Sequence, residues 1–405
     1  MKKLLLSIGL LAGFTMQAYC QGNADTTAFL DLTPPTSPAF NLLDVAPTSV
    51  ERPGTVRAFA VSIANAIGSS SNGFPKNFAL QVAPYWMFVH PRMNIYKYNG
   101  LTLKKGENGA ASQLQFKQNI FYGLRNFSLS AASINVDSSQ SNPYVQNYIA
   151  YSLKANVLNI RRRQVLEVMQ QTITHINSTL VAATTNAITP CASMFDPADA
   201  QQQQSYNSCI NSTVFRDSAI INAQRRKYDS VLAIRPLFTM DVALASSMAF
   251  ANNNFNDHHV YRSGGWITAC LSEPLDKGSA SPTAPAFYNA KNYLNIYGLA
   301  RVISEDNTSD FKTFVNQTDI DFGGRLELEF GAASISFESV YRKVSNHPEL
   351  NTSRNVGIIQ YRLSSNLFLT GTFGKNFGDT NNLVSFLGLN WGFGKTSLYN
   401  KLSYQ

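Results

Sequence analysis

Charge is scarce in this chain. Asp, Glu, Lys and Arg together make up 14% of its 405 residues, and there are only five histidines and four cysteines. No CxxC pair and no His/Cys cluster is present, so the sequence offers no metal-ligand set, and no cofactor is expected. Beyond the N-terminus, no segment carries about 18 uninterrupted apolar residues, which argues against helices that span a membrane. The formal charge of +8 is a mild basic surplus. It points away from nucleic acid and fits anionic lipid headgroups better.

What the chain has in quantity is alternation. Over Thr318 to Phe330, Asp319, Asp321, Arg325, Glu327 and Glu329 fall on one parity, while Ile320, Phe322, Leu326, Leu328 and Phe330 fall on the other. A period of two is that of a strand whose two faces meet different surroundings. The N-terminus adds a compartment. Lys2 and Lys3, the apolar run Leu4 to Phe14, and Ala18-Tyr19-Cys20 before Gln21 read as a signal peptide of residues 1–20. The rival is a lipoprotein anchored through Cys20, against which bulky Tyr19 speaks.

Residues 21–76 are rich in Pro, Ser and Asn, and read as a periplasmic leader or a plug; within them Val56 to Ala66 is either a helix or an added strand. The first barrel strands are expected in 77–159. Phe78 to Phe88 alternates, with Tyr85 and Trp86 suited to an interfacial girdle and Pro84 marking a bulge. Asn147 to Leu158 sets Ile149, Tyr151, Leu153 and Val157 outward and Ser152, Lys154 and Asn156 inward. Residues 160–232 change period: Val165, Leu166, Val168, Met169, Ile173, Ile176 and Leu180 recur at helical spacing. A second helix over Ile210 to Leu232 makes this an inserted helical hairpin. Cys191 and Cys209 close the turn between the helices, and in an envelope compartment a disulfide there contributes about 3 kcal/mol. Cys270 is left over on a strand.

Strand patterning returns over 233–395. Phe238, Met240, Val242 and Leu244 oppose Thr239, Asp241, Ala243 and Ala245, and further strands cover 260–272, 293–303, 318–330 and 334–344. Tight turns near 332 and 365 contrast with long polar loops near 310, 348 and 379. The last strand holds Leu387, Leu389, Trp391 and Phe393, before a tail of 396–405. Eleven strands are clear where an even number is expected; Val56 to Ala66 and Ser397 to Tyr404 are candidates for the twelfth. The same parity decides the side of the hairpin, periplasmic counting back from the last strand and external counting forward from Phe78.

The signal peptide, the alternating strands and the ending Leu387-Gly388-Leu389-Asn390-Trp391-Gly392-Phe393-Gly394 resemble the outer-membrane β-barrel proteins of Gram-negative bacteria. The chain departs from the common porin ending, since Gln405 follows Tyr404. Pattern and resemblance together imply an all-β fold, a transmembrane antiparallel β-barrel of about twelve strands with an inserted α-helical hairpin, in the outer membrane. The function expected is a narrow channel or transport-associated pore for small polar solutes. The alternative is a non-catalytic envelope anchor whose hairpin, residues 160–232, docks a protein partner. A third is an outer-membrane hydrolase.

The candidate site is a lumen charge network of Asp319, Asp321, Arg325, Glu327, Glu329, Glu338 and Arg342, with Asp241 on its own strand. A hairpin turning at Ala332 and Ala333 would bring Glu327 near Glu338. Such a network is either a satisfied filling of a narrow barrel, a permeation constriction, or an acid–base pair. Arg161, Arg162 and Arg163 with Arg225, Arg226 and Lys227 flank the hairpin, either as a solvated helix base or, at an outward mouth, as contacts for lipopolysaccharide phosphates. Asp257-His258-His259 reads as a solvated loop, and His90, His175 and His347 are isolated in sequence. Asp217-Ser218-Ala219 and Asp229-Ser230-Val231 resemble a short O-glycosylation motif.

Overall fold

Alternating side chains favour extended backbone, and the chain is mostly antiparallel β-sheet. The computed structural model describes residues 37–44, 58–63, 78–87, 100–104, 115–135, 145–191, 201–206, 208–209, 235–251, 254–276, 292–307, 312–345, 347–363, 367–378 and 383–393. Fourteen strands are described: β1 Ala58–Ile63, β2 Phe78–Val82, β3 Leu101–Lys104, β4 Gln115–Gln118, β5 Ser128–Asn135, β6 Val145–Ile160 and β7 Phe238–Ala251 precede β8 His258–Pro274, β9 Asn292–Asn307, β10 Val315–Phe330, β11 Ala333–Val344, β12 Thr352–Arg362, β13 Leu367–Lys375 and β14 Leu383–Phe393. β3 and β4 form a hairpin of their own. The other twelve lie in the order β1-β14-β13-β12-β11-β10-β9-β8-β7-β6-β5-β2, and β1 also pairs with β2, so the hydrogen bonding returns on itself as a ring.

β1 is therefore a wall strand, which chooses the strand over the helix for Val56 to Ala66 and moves the start of the wall back from residue 77 to Ala58. Ser397 to Tyr404 lies outside the described residues. β2 is shorter than the alternation of Phe78 to Phe88 suggests. It stops at Val82, and Pro84–Met87 turns into a 3-10 helix, because proline has no N–H for the ladder. His258 and His259 open β8 and are not in a loop.

Antiparallel order gives the ring two distinct ends. One carries the tight Gly331-Ala332 turn, the β12–β13 connection, the start of β1, the end of β14 and the whole segment between β6 and β7. Gly331 has φ +57°, the left-handed backbone that glycine adopts without penalty. The other end carries the connections after β1, β5, β7, β9, β11 and β13. The insertion begins with α2, Arg163–Cys191, whose Val165, Val168 and Met169 are buried. A second helical stretch covers 201–206, and Ile210 to Leu232 lies outside the described residues.

The two faces of the sheet differ sharply in polarity. On β10, Asp321 and Glu327 are 0% exposed, whereas Phe322 and Leu326 are 54% and 50% exposed. On β11, Glu338 is buried and Ile335 and Phe337 are exposed. Polar side chains face the enclosed side, and apolar ones face out.

Candidate functional site

The enclosed space is occupied. A short helix, α1, spans Pro38–Leu42, started by Pro38, whose fixed φ suits a first helical position. Ser37, Ala39, Phe40, Asn41 and Leu42 are all buried, and α1 lies against β5, β6, β7 and β8 inside the ring. Small inward residues make room for it. Phe40 clusters with Ala79, Ala132, Ala150 and Ile134 from β2, β5 and β6. Leu42 clusters with Ala243, Ala245, Trp266 and Tyr297. Where the sheet would otherwise have long side chains, alanine leaves volume that the segment fills.

Side chains from β8, β9 and the stretch after β13 grip the segment through polar atoms. Arg301 Nη1 donates to Asn41 O (2.8 Å), Arg262 Nη1 to Leu42 O (3.2 Å), and Asn376 Nδ2 to Asp44 O (3.5 Å). Asp44 then takes a left-handed backbone, φ +57°, which Asp tolerates better than most side chains. That conformation aims its carboxylate at three guanidiniums. Oδ1 accepts from Arg301 Nη2 (3.0 Å) and Arg342 Nη2 (3.1 Å); Oδ2 accepts from Arg262 Nη1 (2.9 Å) and Arg342 Nη1 (2.9 Å). Burial pushes the Asp44 carboxyl up, but Arg342, Arg301 and Arg262 outweigh it and hold it well below the usual carboxylate range.

Register explains why the arginines converge. Asp321 on β10 lies opposite Arg301 on β9 and Arg342 on β11, so one carboxylate separates two cations along a single rung. Arg301 Nε donates to Asp321 Oδ2 (2.8 Å) and Arg342 Nε to Asp321 Oδ1 (2.8 Å). Arg262 sits opposite Glu305 and donates Nε to it (2.8 Å), and Tyr261 Oη donates to the same carboxylate (2.7 Å). Asp319 lies 3.5 Å from Arg342. Arg342 also lies over the Phe377 ring, 3.9 Å from its centroid.

The remaining charges form further pairs. Arg325 Nη2 donates to Glu327 (2.7 Å), as does Tyr297 Oη (2.6 Å). Glu329 accepts from Asn295 Nδ2 (2.8 Å) and pairs with Arg235. Arg354 Nε donates to Glu338 (3.0 Å), and Lys154 pairs with Asp241 at 3.1 Å. All eight charged residues picked from the alternation are thus buried, but in several groups. Asp319, Asp321 and Arg342 belong to the clasp around Asp44, while Asp241 stands apart with Lys154. Glu327 and Glu338 are not a facing pair: the two-residue turn puts Ser336 opposite Glu327 and Arg325 opposite Glu338.

Alternation within β8, β9 and β12 marks Arg262, Arg301, Glu305 and Arg354 as inward, a signal that was there to be read. Asp44 carries no such signal, being one acidic residue in an aperiodic stretch.

At the end with the connections after β9, β11 and β13, a cavity of about 500 Å³ lies beside the clasp, bordered by Asp44, Arg262, Arg342, Tyr148, Tyr261 and Phe377. Elsewhere, Cys191 and Cys209 form a disulfide, and Cys270 is a buried cysteine with Sγ 3.6 Å from Ser272 Oγ. His259 contacts Asp306 at 3.0 Å and stacks on Phe314. Among the described residues no group of His, Cys, Asp and Glu is arranged to hold a metal. At the base of the insertion, Arg161 Nη2 donates to Tyr122 Oη (3.3 Å), Arg162 pairs with Glu273, and Arg163 pairs with Glu167 on the surface. Arg225, Arg226 and Lys227, and the motifs at Asp217 and Asp229, lie outside the described residues. No helix among those residues is long and apolar enough to cross a membrane, which leaves crossing by strands open.

Fold and site together define a mostly antiparallel β protein with an apolar outer face and an ionic interior that also holds residues 37–44. The chain matches no protein-family model and no curated protein.

Proposed function

We propose that the chain is an outer-membrane β-barrel forming a narrow pore for small polar solutes, held shut by residues 37–44. The carrying observation is the clasp on Asp44: a segment from the N-terminal leader is buried inside the ring and held by three wall arginines. A plain structural filling needs only wall side chains. A segment from outside the wall strands, held by its own carboxylate, is what a closable passage would use.

Several features support the membrane setting. Among the described residues the outward face carries many exposed apolar side chains, with Leu244, Phe337 and Ile359 between 57% and 59% exposed, which suits lipid contact. The inward charges suit a surface screened from lipid. The tight turn after β10, the β12–β13 connection, the start of β1 and the end of β14 share one end of the ring, which fits the periplasmic arrangement of such barrels. On that reading the α2 insertion is periplasmic, so Arg161 and Arg162 brace its base, and lipopolysaccharide contacts belong to the opposite rim.

Planar-bilayer conductance tests the pore. The intact mature chain is expected to be closed, and a chain lacking residues 37–44 to open. Deleting all of 21–76 would be a poor test, since it removes β1 from the wall. If both folded forms stay silent, the second reading takes over: an anchor whose disulfide-tied insertion meets an envelope partner.

A further inference from the structure

The cavity beside Asp44 shares its arginines with the clasp. Arg342 meets Asp44 with both terminal nitrogens as a fork, and Arg262 adds a third donor. Pulling Asp44 away leaves its buried arginines with one carboxylate fewer, sharing only Glu305, Asp319 and Asp321, and removing a partner from a buried ionic cluster is unfavourable. A solute carboxylate has the same planar pair of acceptors and the same charge, and can take over the side-chain hydrogen bonds that Asp44 accepts from Arg262 and Arg342. A neutral amide sets its own N–H groups against guanidinium N–H groups and cannot.

The rest of the lining narrows the class. Glu305 and Asp319 border the same cavity, so a second negative charge on the solute is opposed. Tyr148 and Tyr261 pack with ring centroids 4.9 Å apart, and Phe377 adds a third aromatic wall. The volume of about 500 Å³ is within the usual range for small-molecule sites. We propose that this cavity binds a small monocarboxylate with an aromatic or aliphatic body, whose carboxylate takes the place of Asp44 on Arg262 and Arg342. The inference deepens the pore reading by naming its solute class, and it rests on that reading for its purpose.

Calorimetric titration of the full mature chain in detergent tests it, with benzoate as the probe and benzamide and inorganic phosphate as controls. Benzoate is expected to bind the native chain, and Asp44→Asn to tighten it about tenfold, because the internal competitor no longer lowers the competent fraction. Arg262→Gln should weaken benzoate by a similar factor, with the controls unmoved. Equal binding of benzoate and benzamide, or benzoate binding indifferent to both substitutions, overturns the proposal. If Asp44→Asn fails to fold, the Arg262→Gln arm decides alone: undiminished benzoate binding sinks it, and weakened binding supports it. Conductance is read separately. A plug-deleted chain that conducts, with no benzoate binding to the native chain, removes the solute class and keeps the pore. Benzoate binding without conductance keeps the site and removes the pore.

Discussion

Asp44 and Arg342, 298 positions apart in the chain, meet through two parallel hydrogen bonds of 2.9 and 3.1 Å. This fork ties residues 37–44 to β11, and on the proposed pore reading it is a titratable latch.

Asp44→Asn is therefore expected to loosen the plug while keeping the left-handed backbone that Asn also tolerates. In single-channel recordings the variant should open far more often than the native chain. The pH dependence has a definite sign. The folded carboxyl is held below its ordinary value of 3.8, so its contribution is complete well above that pH. It fades as the pH falls past 3.8 and is lost below the folded value. The native plug should thus stay latched down to about pH 4, and the component of acid release due to Asp44 should vanish in the variant.

Phe337 is 57% exposed on the outer face, beside inward Ser336. Phe337→Arg should destabilise the protein by about 2–4 kcal/mol in lipid if that position is near the bilayer midplane. Denaturant unfolding in vesicles measures this, with the polar exchange Ser336→Thr as the inward control. An unaffected Phe337→Arg protein would contradict the lipid-facing assignment.

Arg354 and Glu338 form a buried pair at 3.0 Å. Arg354→Met alone leaves a buried carboxylate without its cation and should cost about 3–5 kcal/mol. Adding Glu338→Gln should recover most of that loss. The same variants address the hydrolase reading: a folded double variant that loses activity on an envelope lipid or peptide would favour chemistry over architecture.

The Cys191–Cys209 bridge closes a span of 18 residues. Cys191→Ser should remove about 3 kcal/mol of local stabilisation. Limited proteolysis is expected to cut the insertion faster, while the heat-modifiable gel migration of the sheet is unchanged.

The strands were legible because their period is short and uninterrupted. Thr318 to Phe330 gave both its conformation and its inward set, since each step of the pleat reverses the face. The pairings around a turn were harder. Moving the β10–β11 turn by one residue shifts every opposite pair, which is why Glu327 meets Ser336 and not Glu338. Pro84 signalled an interruption but not that the strand would end there. Asp44 was illegible for a different reason: its importance comes from Arg262, Arg301 and Arg342, brought together by three strands far along the chain.

The seam between β1 and β14 sets an order of events. The segment that fills the middle precedes every described strand of the ring, yet the partner for β1 is β14, the last of the described strands. Enclosure must therefore wait until β14 has been made, with α1 already laid in place or tucked in at the final zippering. A truncated chain lacking β14 would present an open-edged sheet around an unguarded segment.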